Sequence, residues 1–358
     1  MTLLAIVLIW AVLIFEFING FHDTANAVAT VIYTKSLKPI HAVVYSGMLN
    51  LIWVLIGWVG VAFSIVKLIP VLKIATFGTW LAVLVCIAIL LTAIIRNFLT
   101  WKRGLPCSSS HTLIWAIIGA VIGFCLLKLG DFSIVNWTKI KDILLWLLVS
   151  PIFWMWLTFI IVMLFKKYFH SRVLFHRPAV DEGTPPRYIR GMLIFTCGLV
   201  SFFHGSNDGQ KGIGLAMVIL ILLMPSIYWS ALETHIVPVW LIILISLALG
   251  LGTMIWRKRI VVTIGEKIGV DHLSYIQGAA AELVAACAIG ASTHYHLPVS
   301  TTHVLSSGIV GAMVASGGAS NVQRSTLRQI ALAWILTLPV CLSVAAAIVY
   351  IGWTIFSL

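Results

Sequence analysis

Two short stretches of the sequence place hydroxyl side chains shortly after a proline: "LPCSSSHT" (105–112) and "LPVSTTHV" (297–304). Proline suits the start of a helix, and serine or threonine there can cap the free backbone N–H groups. Together with the positive end of the helix dipole, these groups favour a tetrahedral oxyanion. The alternative is that the hydroxyls only hydrogen-bond helices to one another. The oxyanion ligands that we predict are Ser108, Ser109, Ser110, Thr112, Ser300, Thr301 and Thr302.

Acidic side chains occur inside otherwise apolar stretches, where a charge costs about 2.5–3.5 kcal/mol to bury in a bilayer. In "GFHDTANAVAT" (20–30), Asp23 and Asn26 are three residues apart and would share a helix face. Asp208 and Lys211 have the same spacing. Buried acids commonly mark ion or proton pathways, although a structural hydrogen bond stays an open alternative for each. The candidate acids are Asp23, Asp208, Glu16 and Glu282, and the histidines that could carry protons are His22, His111, His204 and His303.

Residues 202–214, "FFHGSNDGQKGIG", interrupt an apolar stretch with charged groups and four glycines. Glycine weakens a helix because it loses more backbone freedom than other residues when it is ordered. An unwound segment at membrane depth can offer its backbone carbonyls to a cation. We therefore expect a broken helix around Asp208.

The rest of the chain must hold these groups within a membrane. Of its 358 residues, 61% are hydrophobic and 9% are charged, whereas soluble domains carry about 25% charged residues. The apolar stretches predict ten apparent crossings, near 2–33, 40–66, 79–101, 105–127, 142–165, 191–224, 237–256, 274–295, 297–316 and 329–356. Sixteen Lys and Arg residues fall in the loops on one side and five on the other. The positive-inside rule then places both termini outside.

The sequence also divides into two similar halves. The first hydroxyl-rich stretch recurs in register at an offset of 192 residues and the acidic motif at an offset of 185. Each half appears to cross five times, so the two halves would enter the membrane from opposite sides. We predict an all-α polytopic membrane protein with inverted-topology repeats, broken helices and paired re-entrant helical hairpins. The predicted units are a first repeat (1–165), a cytoplasmic basic linker (166–190) and a second repeat (191–358).

Several other classes of function are not favoured. The net charge of +12 is explained by basic cytoplasmic loops, so no nucleic-acid partner is predicted. The six cysteines lie in apolar stretches without C-x-x-C pairing, which argues against a disulfide frame or a zinc site. We predict no cofactor, and we read the N-terminal apolar stretch as the first span. An enzyme is not predicted either, because Ser110 and His111 are adjacent and helix neighbours do not face each other.

The motifs "GFHDTANAVATVIYT", "GSNDGQKGIG", "LPCSSSHT" and "LPVSTTHVLSS" resemble the signatures of the inorganic phosphate transporter (Pit) family, closest to its bacterial low-affinity branch. The resemblance covers nearly the whole chain. It implies a transporter, commonly homodimeric, in the bacterial inner membrane that moves inorganic phosphate together with cations. Phosphate would lie between the two hydroxyl-rich stretches. The cation ligands that the resemblance implies are Asp23, Asn26, Asn207, Asp208 and Glu282.

The chain departs from the family pattern at two positions. Sodium-coupled members resemble G-x-N-D-x-x-N-A in both halves, but His22 and Lys211 replace one Asn each. These replacements favour protons over sodium, with Lys211 as a fixed positive charge beside the phosphate. The expected function is proton-coupled import of phosphate, either free or as a neutral divalent metal–phosphate complex. Sulfate–proton symport and sodium-coupled phosphate symport are the alternatives.

Overall fold

The computed structural model describes residues 3–127, 131–169, 171–178, 183–255 and 258–356. Part of the predicted linker, at residues 170 and 179–182, lies outside this range. Lys128 and Arg257, which entered the count of basic residues, lie outside it as well.

The described residues are almost entirely helical, and no β-strand occurs among them. The all-α membrane class is therefore confirmed. The α-helices in chain order are α1 (Leu3–Asp23), α2 (Ala25–Tyr33), α3 (Pro39–Ile56), α4 (Gly60–Val66), α5 (Val71–Ala75), α6 (Thr79–Lys102), α7 (Ser109–Leu126), α8 (Trp137–Tyr168), α9 (Arg187–Leu223), α10 (Pro225–Tyr228), α11 (Ala231–Thr234), α12 (Val239–Met254), α13 (Lys258–Val262), α14 (Tyr275–His294), α15 (Thr301–Gly317) and α16 (Arg324–Phe356).

Each predicted crossing coincides with helical structure, but the lengths differ from the prediction. Within the described ranges, eight helical segments are long and apolar enough to cross a membrane, with α1 and α2 counted as one. A ninth is added by the segment from α10 to α12, which bends by 80°. Helix α15 has only 17 residues, which is short for a span. The stretch 40–66 is not one helix, because the chain breaks between α3 and α4.

The expected break around Asp208 is wrong, because α9 runs without interruption from Arg187 to Leu223. Its glycines instead allow other helices to come close. A methyl group at Gly205 would lie 2.6 Å from the backbone oxygen of Asn50 in α3, and one at Gly214 would lie 2.7 Å from that of Ala62 in α4. Small residues at such spacing let transmembrane helices pack backbone to backbone. This packing offsets the weak helix propensity of glycine.

We predict that Gly205→Ala lowers the thermal midpoint of the purified protein, because the added methyl forces α3 and α9 apart. Overpacking of this kind costs about 1–3 kcal/mol. The matched control is Gly191→Ala in the same helix, where nothing lies within 4 Å of the new methyl. That variant should be as stable as the unmodified chain or slightly more stable. Equal midpoints for the two variants would show that the close approach of α3 does not explain the glycines.

Apolar side chains form two large buried clusters, and the polar part of α9 lies between them. Residues 213–223 of α9 belong to one cluster together with residues 5–15 of α1. Residues 189–200 of α9 belong to the other, together with residues 25–31 of α2. The intervening part of α9 is buried and polar. The fold therefore holds a polar layer at the end of α1 and the middle of α9.

Corresponding helices of the two halves make corresponding contacts. Helix α7 packs against α16 and α15 against α8, while α1 packs against α12 and α9 against α3. Each hairpin thus packs on a long helix of the other half. The repeat boundaries and the opposite orientation of the halves stay predictions.

Candidate functional site

Both hydroxyl-rich stretches form the tip of a helical hairpin. Tip 1 (105–110) joins α6 to α7, and tip 2 (297–302) joins α14 to α15. Ser108 and Ser300 cap the two helices, each accepting a hydrogen bond from the backbone N–H three residues later, at 3.0 and 3.1 Å. The sequence suggested that the prolines begin the helices, but they do not. They lie in the extended segment before each cap, because the capping position needs a side-chain oxygen.

The two tips touch each other through reciprocal hydrogen bonds. Ser110 Oγ in tip 1 donates to the backbone oxygen of Val299 in tip 2, at 2.6 Å. Thr302 Oγ1 in tip 2 donates to the backbone oxygen of Cys107 in tip 1, at 3.4 Å. Both pairs follow the same register as the sequence duplication. The N-termini of α7 and α15 consequently meet inside the protein.

Two carboxylates, one from each half, lie against tip 1. Ser109 Oγ is 3.0 Å from Asp23 Oδ2 and 3.4 Å from Asp208 Oδ2. All three side chains are buried. Because a serine hydroxyl has a single hydrogen, it can donate to only one of the two acids at a time. The arrangement therefore has room for one further proton.

The residues three positions after the acids reach different tips. Lys211 Nζ lies 2.7 Å from Asp208 Oδ2 and 3.4 Å from Ser109 Oγ at tip 1. Asn26 Nδ2 donates to Thr302 Oγ1 at tip 2, at 2.8 Å. The halves therefore differ in charge at this point. One tip contacts a fixed cation and the other a neutral amide.

The residues just before the acids hold the acid helices to the hairpins. His22 Nδ1 lies 2.7 Å from Asp23 Oδ1, and its Nε2 lies 3.1 Å from Thr100 Oγ1 on α6. Asn207 Nδ2 donates to Thr293 Oγ1 on α14, at 3.0 Å, and its oxygen accepts from the backbone of tip 2. His22 and Asn207 occupy equivalent positions, and each bonds a threonine on the first helix of the nearby hairpin. The geometry gives both of them a positioning role.

His204 lies beside a carboxylate, a contact that the sequence analysis did not predict. Its Nδ1 lies 3.9 Å from Asp208 Oδ1. Ligand atoms of Asp23, His204 and Asp208 all lie within 4.8 Å of one another, so they could hold a cation. The signal in the sequence was the spacing of four residues between His204 and Asp208, which places both on one helix face.

Several buried polar atoms of this cluster have no hydrogen-bond partner among the described residues. They are Asn26 Oδ1, Asp208 Oδ1 and both ring nitrogens of His204. Buried polar atoms are nearly always satisfied in folded proteins. Their concentration beside the tips indicates a place that takes up water, an ion or a substrate.

Some predicted ligands have hydroxyls directed elsewhere. Thr112 Oγ1 donates to the Ser108 backbone oxygen within its own helix, at 3.0 Å. Ser108 and Ser300 use their oxygens as caps. Thr301 is near Asn26 Nδ2, at 3.4 Å. The contacts to the charged groups are therefore made by Ser109 and Thr302, the latter 3.3 Å from Asp23 Oδ1.

The structure does not bring Glu16 and Glu282 to the tips. Glu16 is buried on α1 with Asn19 as its hydrogen-bond donor, 3.3 Å away. Glu282 on α14 accepts hydrogen bonds from Thr30 and Thr196. The sequence could not separate these acids from Asp23 and Asp208, because all four lie in apolar stretches.

The remaining two candidate histidines face each other behind the tips. The rings of His111 and His303 have centroids 4.3 Å apart, and His303 also stacks on Trp334 at 3.7 Å. The Trp334 indole N–H donates to the Pro106 backbone oxygen of tip 1, at 2.9 Å. Helix α16 therefore supports both tips through one side chain.

Comparison with known proteins matches residues 19–345 to the model of the phosphate transporter family. A protein of Bacillus subtilis (strain 168), named as a probable low-affinity inorganic phosphate transporter, is 35% identical over 354 residues, which cover 99% of this chain and 98% of that protein. A low-affinity inorganic phosphate transporter of Buchnera aphidicola subsp. Acyrthosiphon pisum (strain APS) is 32% identical, with 98% and 97% of the chains covered.

A solved structure, entitled the sodium-dependent phosphate transporter, superimposes with a TM-score of 0.78. It covers 99% of this chain and all of its own, at 20% sequence identity. At this identity the likeness shows a shared fold.

Proposed function

Because the chain belongs to the phosphate transporter family, we propose that it imports inorganic phosphate by proton symport. The relatives are named as transporters, so the role is not enzymatic. The observation that carries the proposal is the meeting of the two hairpin tips beside a buried Asp–Lys–Asp cluster.

The tips supply the groups that suit a tetrahedral oxyanion. Two helix N-termini converge there, and the hydroxyls of Ser109 and Thr302 lie beside them. The ammonium of Lys211 is within hydrogen-bond distance of Ser109. Such groups stabilise negative charge in a water-poor site. Phosphate bound there would replace part of the contact between the tips and the carboxylates.

The charges around the tips call for a cotransported cation. Two carboxylates and one lysine leave a net negative charge when the histidines are neutral, which repels a phosphate anion. A proton on Asp23 or Asp208 removes that repulsion. Moving one negative charge inward against 100 mV costs about 2.3 kcal/mol, so proton symport also offsets the membrane potential.

Protons are favoured over sodium by the place of Lys211. Its Nζ lies 2.7 Å from Asp208, where it takes the position that a coordinated cation would occupy. Sodium coupling is the second candidate, because Asp23, His204 and Asp208 can together hold a cation. Transport of a neutral divalent metal–phosphate complex would remove the same charge penalty and is tested by adding magnesium to the uptake assay.

The proposal also covers the orientation of the chain in the membrane, its two repeats and its oligomeric state. Basic residues concentrate on one side of the predicted spans, which supports both termini facing outward from a bacterial cytoplasmic membrane. The repeat units 1–165 and 191–358 would then face each other in opposite orientations. The homodimeric state rests on the family resemblance alone, and cross-linking in membranes tests it.

We expect Ser109→Ala to weaken phosphate uptake, because the variant loses a hydroxyl that contacts both acids and Lys211. A charge-assisted hydrogen bond contributes about 1.5–3 kcal/mol, which corresponds to about 10- to 150-fold in apparent affinity. Concentration-dependent uptake of labelled phosphate into proteoliposomes measures it. The control is Thr112→Val on the same helix, whose hydroxyl bonds within the helix. Equal affinities for Ser109→Ala and the control would remove tip 1 from the site.

Competition by sulfate tests the identity of the substrate. Sulfate has the same shape as phosphate but carries no proton at neutral pH. Since the acids around Ser109 can accept a hydrogen bond from a protonated phosphate oxygen, phosphate should be strongly preferred. Excess unlabelled phosphate should abolish labelled uptake, and the same excess of sulfate should leave it nearly unchanged. Equal competition by both anions would favour a sulfate–proton symporter.

A further inference from the structure

A cavity lined by basic and aromatic side chains lies outside the transport site, where the linker meets the ends of three helices. Its volume is about 370 Å³, which is in the range of ligand-binding pockets. It lies between the end of α8, the start of α14 and the end of α15. The lining residues are Lys166, Phe169, Ser171, Arg172, Phe175, Arg177, Ser274, Gln277 and Ser316.

The linker forms a fixed wall of this cavity. The backbone oxygens of Leu174 and His176 accept hydrogen bonds from the first two N–H groups of α14, at 3.0 and 3.3 Å. Arg177 pairs with Asp271 at 2.5 Å. The linker therefore caps α14 in the way that a side chain normally would. These contacts hold the basic residues of the linker at the cavity.

Two basic side chains of the cavity, Lys166 and Arg172, have no acidic partner among the residues that the structure describes. Lys166 Nζ binds the backbone oxygens of Ala315 and Ser316 at the end of α15, at 3.0 and 3.2 Å. Within the described part of the chain, neither Lys166 nor Arg172 has a carboxylate within ion-pair distance. The cavity thus combines serine hydroxyls with two cations that have no paired carboxylate among the described residues. This chemistry suits a phosphate group.

We propose that this cavity binds the phosphodiester headgroup of an anionic lipid. The cavity lies where the ends of α8, α14 and α15 come together, on the side that the basic residues assign to the cytoplasm. Phenylalanine rings at positions 169 and 175 supply apolar walls, which fit the glycerol and upper acyl part of a lipid better than a free ion. Basic pockets between membrane helices on the cytoplasmic side are suited to anionic headgroups.

A lipid bound here would connect the linker with the second hairpin. Helices α14 and α15 carry tip 2 at their far ends, and the cavity touches their near ends through Ser274 and Ser316. Occupancy would tie this hairpin to α8 of the other half. The anionic lipid would thereby influence movement of tip 2 without entering the transport site.

Native mass spectrometry of the full chain in detergent tests the proposal. The probes are phosphatidylglycerol and phosphatidylcholine with identical acyl chains. We expect one phosphatidylglycerol molecule to be retained in preference to phosphatidylcholine. Each neutralised cation should weaken this retention by about fivefold, since a basic residue near anionic lipid contributes about that factor. Arg172→Gln and Lys166→Gln are therefore each expected to retain about fivefold less phosphatidylglycerol than the unmodified chain.

The matched control is Lys167→Gln, which removes a neighbouring charge that does not line the cavity. It should retain the lipid as the unmodified chain does. Arg172→Gln is the variant less prone to misfold, because Arg172 is exposed, whereas Lys166 bonds the end of α15. Retention unchanged in Arg172→Gln, or lost equally in Lys167→Gln, would overturn the proposal. Inorganic tripolyphosphate is the probe for a free phosphate. If it stabilises the unmodified protein but not Arg172→Gln, and the protein retains phosphatidylglycerol no better than phosphatidylcholine, the ligand is not a lipid.

Discussion

Asp23→Asn and Asp208→Asn are each expected to abolish concentrative phosphate uptake. Both carboxylates are fully enclosed and contact the same hydroxyl of Ser109. A neutral amide at either position removes the charge that the proton would neutralise, so phosphate would bind without a coupled proton. Loss of one coupled proton at 100 mV lowers the accumulation ratio by about fiftyfold, since it leaves about 2.3 kcal/mol uncompensated. Uptake of labelled phosphate against its gradient measures the loss.

Exchange of phosphate at zero potential separates coupling from binding. An uncoupled variant that still folds should exchange labelled for unlabelled phosphate even though it no longer accumulates it. The matched control is Asp142→Asn, an exposed acid on α8, which should behave as the unmodified chain does. Accumulation against a gradient by either buried variant would assign that acid a structural role.

Lys211→Asn is expected to make transport responsive to sodium or to weaken it strongly. Lys211 is fully buried and its ammonium lies 2.7 Å from Asp208. Removing it leaves Asp208 without its positive partner, in a position equivalent to that of Asp23 beside Asn26. A vacant cation position would then lie beside Asp208 and His204. Uptake measured with and without a sodium gradient tests this expectation.

Lys211→Arg should also be impaired, although it keeps the charge. The planar guanidinium does not fit a place shaped for a compact ammonium, and the side chain at this position is fully buried. Lys141→Asn on the exposed face of α8 is the control for loss of a positive charge. A Lys211→Asn variant with unaltered rate and ion dependence would show that the lysine only neutralises Asp208 structurally.

The meeting of the two hydroxyl-rich stretches followed from the sequence because these stretches are duplicated. The same register that aligns "LPCSSSHT" with "LPVSTTHV" produces the reciprocal bonds from Ser110 to Val299 and from Thr302 to Cys107. Helix capping by Ser108 and Ser300 followed from local chemistry. What the sequence could not give was the direction of each hydroxyl. Thr112 shares the helix of Ser109 but bonds within it.

The glycines of α9 were misread because a glycine pattern has two physical meanings. It can weaken a helix in isolation, or it can let a neighbouring backbone approach. Which meaning applies depends on which helix packs against the glycines. The contact between α3 and α9 joins parts of the chain that are far apart in sequence, so the glycine pattern could not reveal it. The same limit applies to Glu282, whose partners Thr30 and Thr196 come from two other helices.

Uptake of labelled phosphate into proteoliposomes, with a pH, sodium or magnesium gradient imposed one at a time, tests proton-coupled import most directly. An inward proton gradient alone should drive accumulation, and collapse of that gradient with an ionophore should stop it. A sodium gradient at equal pH on both sides should drive none, and magnesium should not be required. Accumulation driven by sodium and indifferent to the proton gradient would contradict the account.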